Sequence, residues 1–289
     1  MQFLLQSTFY LPLVFTAVIF GIAPILLGLL GFTSFTYHSC VQSFLAGLIL
    51  AFAYQLMALL PRIGGIVLEL IVYYLFLNVA FASLGIICGI LQGIRHRRWT
   101  KLTHALKLLA GHFYLSDKKG FYAGLWEGIS RHSWELAQNL IGHIWAQSLN
   151  AIGIIQRVEF FEGATFSLRI NQKERSGMSL GSFIYIAIDD NFKGVFRLRL
   201  IKDPLFMHEF GHGLDSRLFG IFYLPFIGLP SIISAMQSKQ VFGTTNKAGL
   251  HKYKSYEMRA NRKAAYFFNS YAVNWQDFEL AYPRKSPIE

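Results

Sequence analysis

Two histidines four residues apart, with a glutamate beside the first, are the residues of this chain best suited to chemistry: His208-Glu209-Phe210-Gly211-His212. The pattern is His-Glu-x-x-His, and its surroundings predict a helix. Asp203 is a good N-cap, Pro204 fits the first helical position where its missing N–H costs nothing, and Gly220 is a stop about four turns on. Residues four apart share a helix face, so both imidazoles can point at one ion. Glu209 then projects beside that ion, where a carboxylate can take a proton from an activated water. This is the zinc-metallopeptidase arrangement.

A catalytic zinc usually has three protein ligands and one open position. A metzincin-like extension would place Gly three residues after the second His and a ligand six after it. Those positions hold Asp215 and Leu218, so that arrangement fails. The other arrangement takes a Glu from a separate helix, and Glu257-Met258-Arg259-Ala260-Asn261 supplies one on a helix expected over Ser255–Tyr271. Small Ala260 lets the two helices pack closely. Asn261, one turn after Glu257, can accept a hydrogen bond from the non-metal nitrogen of His208. Asp215 and His251 are the alternative ligands. His251, Tyr253 and Tyr256 are also candidates for stabilising the oxyanion of a tetrahedral intermediate.

The pairing of His-Glu-x-Gly-His with Glu-x-x-Ala-Asn resembles the gluzincin metallopeptidases. It is most similar to the integral-membrane kind related to CAAX prenyl proteases and the bacterial membrane heat-shock protease. The resemblance covers two short windows and the general layout. It implies Zn2+ as cofactor, His208, His212 and Glu257 as ligands, Glu209 as general base, and Asn261 as the orienter of His208. Asn261 stands where that family has Asp, so the acceptor oxygen is kept and the charge is lost. The wider chain also resembles bacterial membrane proteins with no assigned substrate.

The positioning elements start with a membrane region. From Met1 to Pro61 there is no Asp, Glu, Lys or Arg, and only Arg62 and Glu69 precede Arg95. Spanning a bilayer takes about 20 apolar residues, and Phe9–Leu30, Val41–Leu60 and Ile66–Ile90 qualify. The first lacks the basic n-region and cleavage site of a signal peptide. Cys40 and Cys88 lie at or inside spans and give no disulfide framework. Because Arg62 and Glu69 cancel, the net charge of +11 falls on residues 95–289. Arg95, Arg97, Arg98, Lys101 and Lys107 follow the third span directly, which favours a cytoplasmic domain facing lipid headgroups. No groove-reading motif suggests nucleic acid. The expected division is a transmembrane region over 1–94 and a basic zincin-like α+β domain over 95–289.

Within that domain, Lys101–Tyr114 reads as a basic amphipathic helix and Trp134–Ile155 as a buried or interfacial helix. Ser116-Asp117-Lys118-Lys119-Gly120 and Ser176-Gly177 read as turns. Val158–Phe161, Ala164–Ile170, Ser182–Ile188 and Val195–Leu200 read as strands. Either of the last two would pair with an extended peptide over the metal. Phe219–Met236, uncharged but with Pro225 and Pro230, reads as a re-entrant or interfacial segment, and Gln237–Leu250 as a polar loop. Asp203, Asp215 and Arg217 surround the motif, so the site belongs at the interface or in water rather than inside a span. The function expected is peptide hydrolysis by a membrane-anchored zinc enzyme. The alternatives are a non-enzymatic binding module and a metal-dependent hydrolase of a non-peptide substrate.

Overall fold

A computed structural model of the chain describes residues 37–58, 63–116, 120–171, 175–190, 192–240 and 251–285, with isolated positions between 18 and 28. The expected span Phe9–Leu30 and most of the expected loop Gln237–Leu250 lie outside the described residues, as does the centre of the turn at 116–120. The architecture is α+β.

Two long apolar helices come first, α1 (Tyr37–Ala58) and α2 (Ile63–His96). Each contains a stretch long and apolar enough to cross a membrane, Ser39–Leu56 and Phe76–His96, and less than half of either stretch is buried. Then come α3 (Thr100–Ala110), α4 (Phe121–Arg131) and α5 (Leu136–Ala151). The sheet is formed by β1 (Arg157–Phe161), β2 (Ala164–Ile170), β3 (Ser176–Leu180) and β4 (Phe183–Ile188). After it run α6 (Phe196–Lys202), α7 (Pro204–Phe219), α8 (Leu229–Gln240), α9 (Ser255–Phe268) and α10 (Trp275–Ala281).

The strand order is β1-β2-β4-β3, with β2 and β4 parallel and the other two pairs antiparallel. One sheet face carries Phe166, Leu168, Ile184 and Ile186 against Phe206 and Phe210 of α7 and Phe268 of α9. Phe166, Phe206 and Phe268 are fully buried, and each such side chain stabilises the fold by roughly 1.5–3 kcal/mol. Val158 of β1 and the partly buried Tyr185 of β4 meet a smaller cluster with Leu108 of α3 and Ala146 and Leu149 of α5.

Two expectations about strands are corrected. Val195–Leu200 is not a strand: Phe196–Lys202 is helical, with Phe196 and Leu200 buried and Leu198 exposed. The apolar residues that alternate with Arg197 and Arg199 also place positions 196 and 200 one helical turn apart, and packing selects that period. Ser176-Gly177 is not a turn but the start of β3. It is β3, rather than the β4 segment, that forms the sheet edge, because β4 is paired on both sides.

Helix α5 has the buried character expected for Trp134–Ile155, with its polarity inverted. It buries Gln138, Asn139, His143, Gln147 and Asn150 and exposes Ile141 and Trp145. The amide N–H groups are bonded: Gln147 donates to Ala105 O (3.0 Å) and Asn150 to Lys101 O (2.9 Å). Phe219–Met236 forms a 3-10 turn, a π-helical turn over Leu224–Gly228 and the start of α8. Its Ile221, Phe222, Phe226, Leu229, Ile233 and Met236 are exposed.

Candidate metal centre

Helix α7 starts as the sequence predicts: Asp203 caps it by accepting from the Leu205 N–H at 3.2 Å, and Pro204 is the first helical residue. Its motif face lies against α9. At Gly211 a Cβ would stand 2.2 Å from Ala260 O and 3.2 Å from the Ala264 side chain. The glycine before the second histidine, and the small residues facing it, therefore let the two helix backbones touch. That contact carries Glu257 to the histidines.

His208, His212 and Glu257 are all buried, and their potential ligand atoms lie within 4.8 Å of one another. Glu257 Oε2 is 3.2 Å from His208 Nε2 and 3.1 Å from His212 Nε2. Two ligand bonds of about 2.0–2.1 Å at a tetrahedral angle put donor atoms roughly 3.3–3.4 Å apart, so the spacing suits one shared ion.

The hydrogen bonds around His208 carry the same conclusion. Asn261 Nδ2 donates to Pro283 O at 2.8 Å, which turns Asn261 Oδ1 toward His208 Nδ1 at 2.6 Å. An amide oxygen accepts, so His208 Nδ1 must carry a proton. The lone pair of a neutral ring is then on Nε2, aimed at the carboxylate oxygen of Glu257. With that ring neutral, two acceptors face each other in a buried space, an arrangement that a metal ion or a proton between them resolves. His212 shows the same demand: burial opposes its charging, but the Glu257 carboxylate outweighs burial and raises its pKa to about 9. Burial would raise Glu257, yet His212 and His208 hold its carboxyl far below the usual range. The site is built to hold positive charge. Tyr282 stacks on the His208 ring, with centroids 4.2 Å apart, and fixes its plane.

Glu209 lies on the sheet side. The Ser179 hydroxyl of β3 is 2.7 Å from both its Oε2 and its backbone oxygen. Its side chain runs over Gly177, where a Cβ would stand 2.3 Å from Oε1. Any larger residue at 177 would displace the carboxylate. A cavity of about 100 Å³ is lined by His208, Glu209, His212 and Glu257, with Ser179, Tyr223 and His251 among its other walls. Ser231 of α8 donates to Glu257 Oε1 at 2.5 Å and helps close the cavity from above.

The remaining sequence candidates separate clearly. His251 joins the cavity, its Nε2 3.7 Å from Glu257 Oε1 and its Nδ1 buried without a hydrogen-bond partner. Burial lowers its pKa despite the nearby carboxylates. Tyr253 and Tyr256 do not line the cavity; Tyr256 donates to Pro230 O at 3.1 Å. Asp215 is fully buried in ion pairs with Arg259 (3.1 Å) and Lys263 (3.0 Å) and is not among the converging ligands.

Ser179, Ser231, Tyr223 and Tyr282 had no sequence signal, because each reaches the site by a long-range contact. Tyr223 is buried, and its hydroxyl lies 3.5 Å from Ser179 O. Burial and the Glu209 and Asp215 charges push its pKa well up, which keeps the phenol protonated as a donor. No family model, curated protein or solved structure matches the chain, so its function rests on this geometry.

Proposed function

We propose that the chain is a membrane-embedded zinc metallopeptidase of gluzincin type, with His208, His212 and Glu257 as the ligands and Glu209 as the general base. The observation that carries the reading is the convergence of one ligand atom each from His208, His212 and Glu257 within 4.8 Å, with Asn261 Oδ1 2.6 Å from the other ring nitrogen of His208. Two imidazoles and one carboxylate are the donor set of hydrolytic zinc, with room left for water and substrate. Zinc bound there supplies Lewis acidity, lowering the pKa of the attacking water and polarising the scissile carbonyl.

The chain's own residues do the rest. Glu209 accepts the proton as water adds to the carbonyl carbon, then delivers it to the amine as the C–N bond breaks. The Ser179 hydroxyl keeps the Glu209 carboxylate turned toward the cavity. The Tyr223 hydroxyl and the His251 ring are the donors available to the developing oxyanion. An extended peptide adds to the outer edge of β3, beyond which no strand lies among the described residues.

Membrane embedding is supported by what α1, α2 and α5 expose. Tyr73, Phe76, Val79, Ile87, Leu91 and Ile94 of α2 face outward, and α5 turns its polar residues inward. A soluble core helix buries that apolar surface instead. The basic run Arg95, Arg97, Arg98, Lys101 and Lys107 after α2 supports a cytoplasmic domain.

The test is metal analysis with peptidase assay of the detergent-extracted chain and its Glu209→Gln variant on an unstructured protein substrate. The variant should keep one zinc and lose about 10²–10⁴-fold in rate, the contribution of general base catalysis. Zinc loss in Glu209→Gln, or undiminished hydrolysis, rejects the assignment of Glu209. A wild-type chain that binds zinc and cleaves nothing is a binding module instead.

A further inference from the structure

A second cavity lies apart from the metal site. It has a volume of about 630 Å³ and shares no lining residue with the metal cavity. On α7 its walls are Leu214, Arg217 and Leu218; on α9 they include Arg259, Arg262 and Lys263. At 100° per residue these positions lie on the helix faces turned away from His208, His212 and Glu257. Its size falls within the range of about 300–1,000 Å³ typical of ligand pockets.

Its chemistry has two halves. Four cationic side chains line it: Arg217, Arg259, Arg262 and Lys263. The carboxylates behind them are buried and already shared. Asp215 holds both Arg259 and Lys263, while Glu127 holds both Arg217 and the buried Arg131. Glu135 is a third buried carboxylate near Arg217. Five cations against three carboxylates leave positive charge facing the cavity. Arg262 makes its hydrogen bond to Arg284 O, and Arg259 Nη2 has no hydrogen-bond partner, its guanidinium lying 4.1 Å from the centre of the Phe219 ring. The other half of the rim is apolar and exposed: Trp126, Leu218 and Tyr266, at 60%, 66% and 88% exposure. Trp126 belongs to α4, which packs against the apolar helix α1. Trp126 itself lies on the α4 face opposite the one where Gly124 and Gly128 meet Gln42 and Ala46 of α1, whereas Leu218 adjoins the exposed Ile221 and Phe222, so the apolar rim continues along the uncharged segment after α7.

We propose that this cavity binds an anionic phospholipid, its phosphate between Arg217, Arg259 and Arg262 and its acyl chains leaving over Trp126 and Leu218. A soluble anion would use the cations and leave that apolar rim in water. A nucleic acid would need stacking platforms along an open basic groove rather than a rim continuous with exposed aliphatic side chains. The inference rests on the membrane reading of α1 and α2 and not on catalysis.

The experiment uses the full chain in a neutral detergent, titrated calorimetrically with dihexanoyl phosphatidylglycerol, dihexanoyl phosphatidylcholine, inorganic phosphate and an acidic peptide. Phosphatidylglycerol should bind most tightly. Each cation removed near a lipid surface should weaken it roughly 5-fold, so Arg217→Gln with Arg262→Gln should weaken it about 30-fold and weaken phosphatidylcholine, whose choline offsets the phosphate charge, by less. Zinc content and the unfolding temperature of the double variant report whether it is folded; Arg262→Gln alone, at an exposed position, should still show the 5-fold loss. Equal binding of the two lipids, or an unaffected variant, overturns the proposal. Inorganic phosphate or the acidic peptide binding as tightly as phosphatidylglycerol also overturns it. Recovery of the chain from cells without detergent would reject the membrane reading itself, a separate outcome from lost lipid selectivity in extracted protein.

Discussion

Two regions of this protein bury histidines, and they use them for opposite ends. Around α7 and α9, His208 and His212 converge on a carboxylate. Where α2 and α3 meet α5, His112, His132 and His143 cluster, His112 and His143 edge to face with centroids 4.4 Å apart, and the charge acting on His132 is that of Arg131. The hydrogen-bonding device at one histidine of each region is nearly identical. Asn78 Nδ2 donates to Tyr74 O, and Asn78 Oδ1 accepts from His143 Nδ1 at 2.8 Å. Asn261 does the same between Pro283 O and His208. In both cases the Nε2 lone pair is left to find a partner. For His143 it finds the Gln147 amide at 3.1 Å and is satisfied. For His208 it faces a carboxylate oxygen 3.2 Å away, a contact that a metal ion or a proton on Nε2 reconciles. What separates a structural histidine from a ligand here is the group at the far nitrogen. Neither burial nor the orienting asparagine tells them apart.

The largest effect should come from breaking the convergence. Glu257→Gln or His212→Ala should reduce bound zinc from about one per chain to none, a loss beyond the 10–100-fold that an outer partner is worth. His143→Ala and His132→Ala should leave zinc content at one per chain. Metal analysis after dialysis reads both. Zinc loss on substitution of His143 would erase the distinction between the two regions.

Acid should act next, and with opposite sign in the two regions. Burial lowers the pKa of His143 to about 3, and burial with the Arg131 charge does the same for His132. Their folded pKa lies below the unfolded value of about 6.5. The unfolded chain therefore takes up protons below pH 6.5 that the folded one refuses. Stability from these rings is complete above that pH and is lost as pH falls toward 3. The loss should be on the order of 2 kcal/mol per ring between pH 7 and pH 5. Denaturant unfolding of chelator-treated protein in detergent checks it, and His143→Gln should flatten the slope. Stability independent of pH over that interval would mean the rings are not buried neutral.

The His208, His212 and Glu257 cluster was legible because every clue is local. The i, i+4 histidines, the Asp-Pro start, the failed spacing at Asp215 and Leu218, and the Glu257–Asn261 turn all lie within two helices. The α1 and α2 stretches were legible from the missing charges. What was not legible depends on partners distant in sequence. Ser176-Gly177 looks like a turn, and only pairing with β4 makes it the edge strand against Glu209. Phe196, Leu198 and Leu200 fit a strand and a helix alike until packing buries two of the three. The polar residues of α5 read as interruptions of an apolar helix. Asn78 and the Ala105 carbonyl show instead that they form its buried face.

The smallest effect probes the shared device directly. Asn261→Ala should weaken zinc binding about 10–100-fold, the usual cost of losing the group that orients a ligand histidine. The ring would be free to turn, and its Nδ1 proton would lose its acceptor. Asn261→Asp restores the acceptor with a charge and should bind zinc at least as well as the native chain. Asn78→Ala, the same substitution at the matching position, should leave zinc affinity unchanged. Its cost should appear in stability, about 1–3 kcal/mol for a buried donor left unsatisfied at His143. Zinc titration and denaturant unfolding on both variants give four numbers, and the crossed pattern is the prediction. Equal loss of zinc affinity in the two variants would mean that the regions are coupled through the sheet between them. His143 would then be part of the support of the metal centre rather than its contrast.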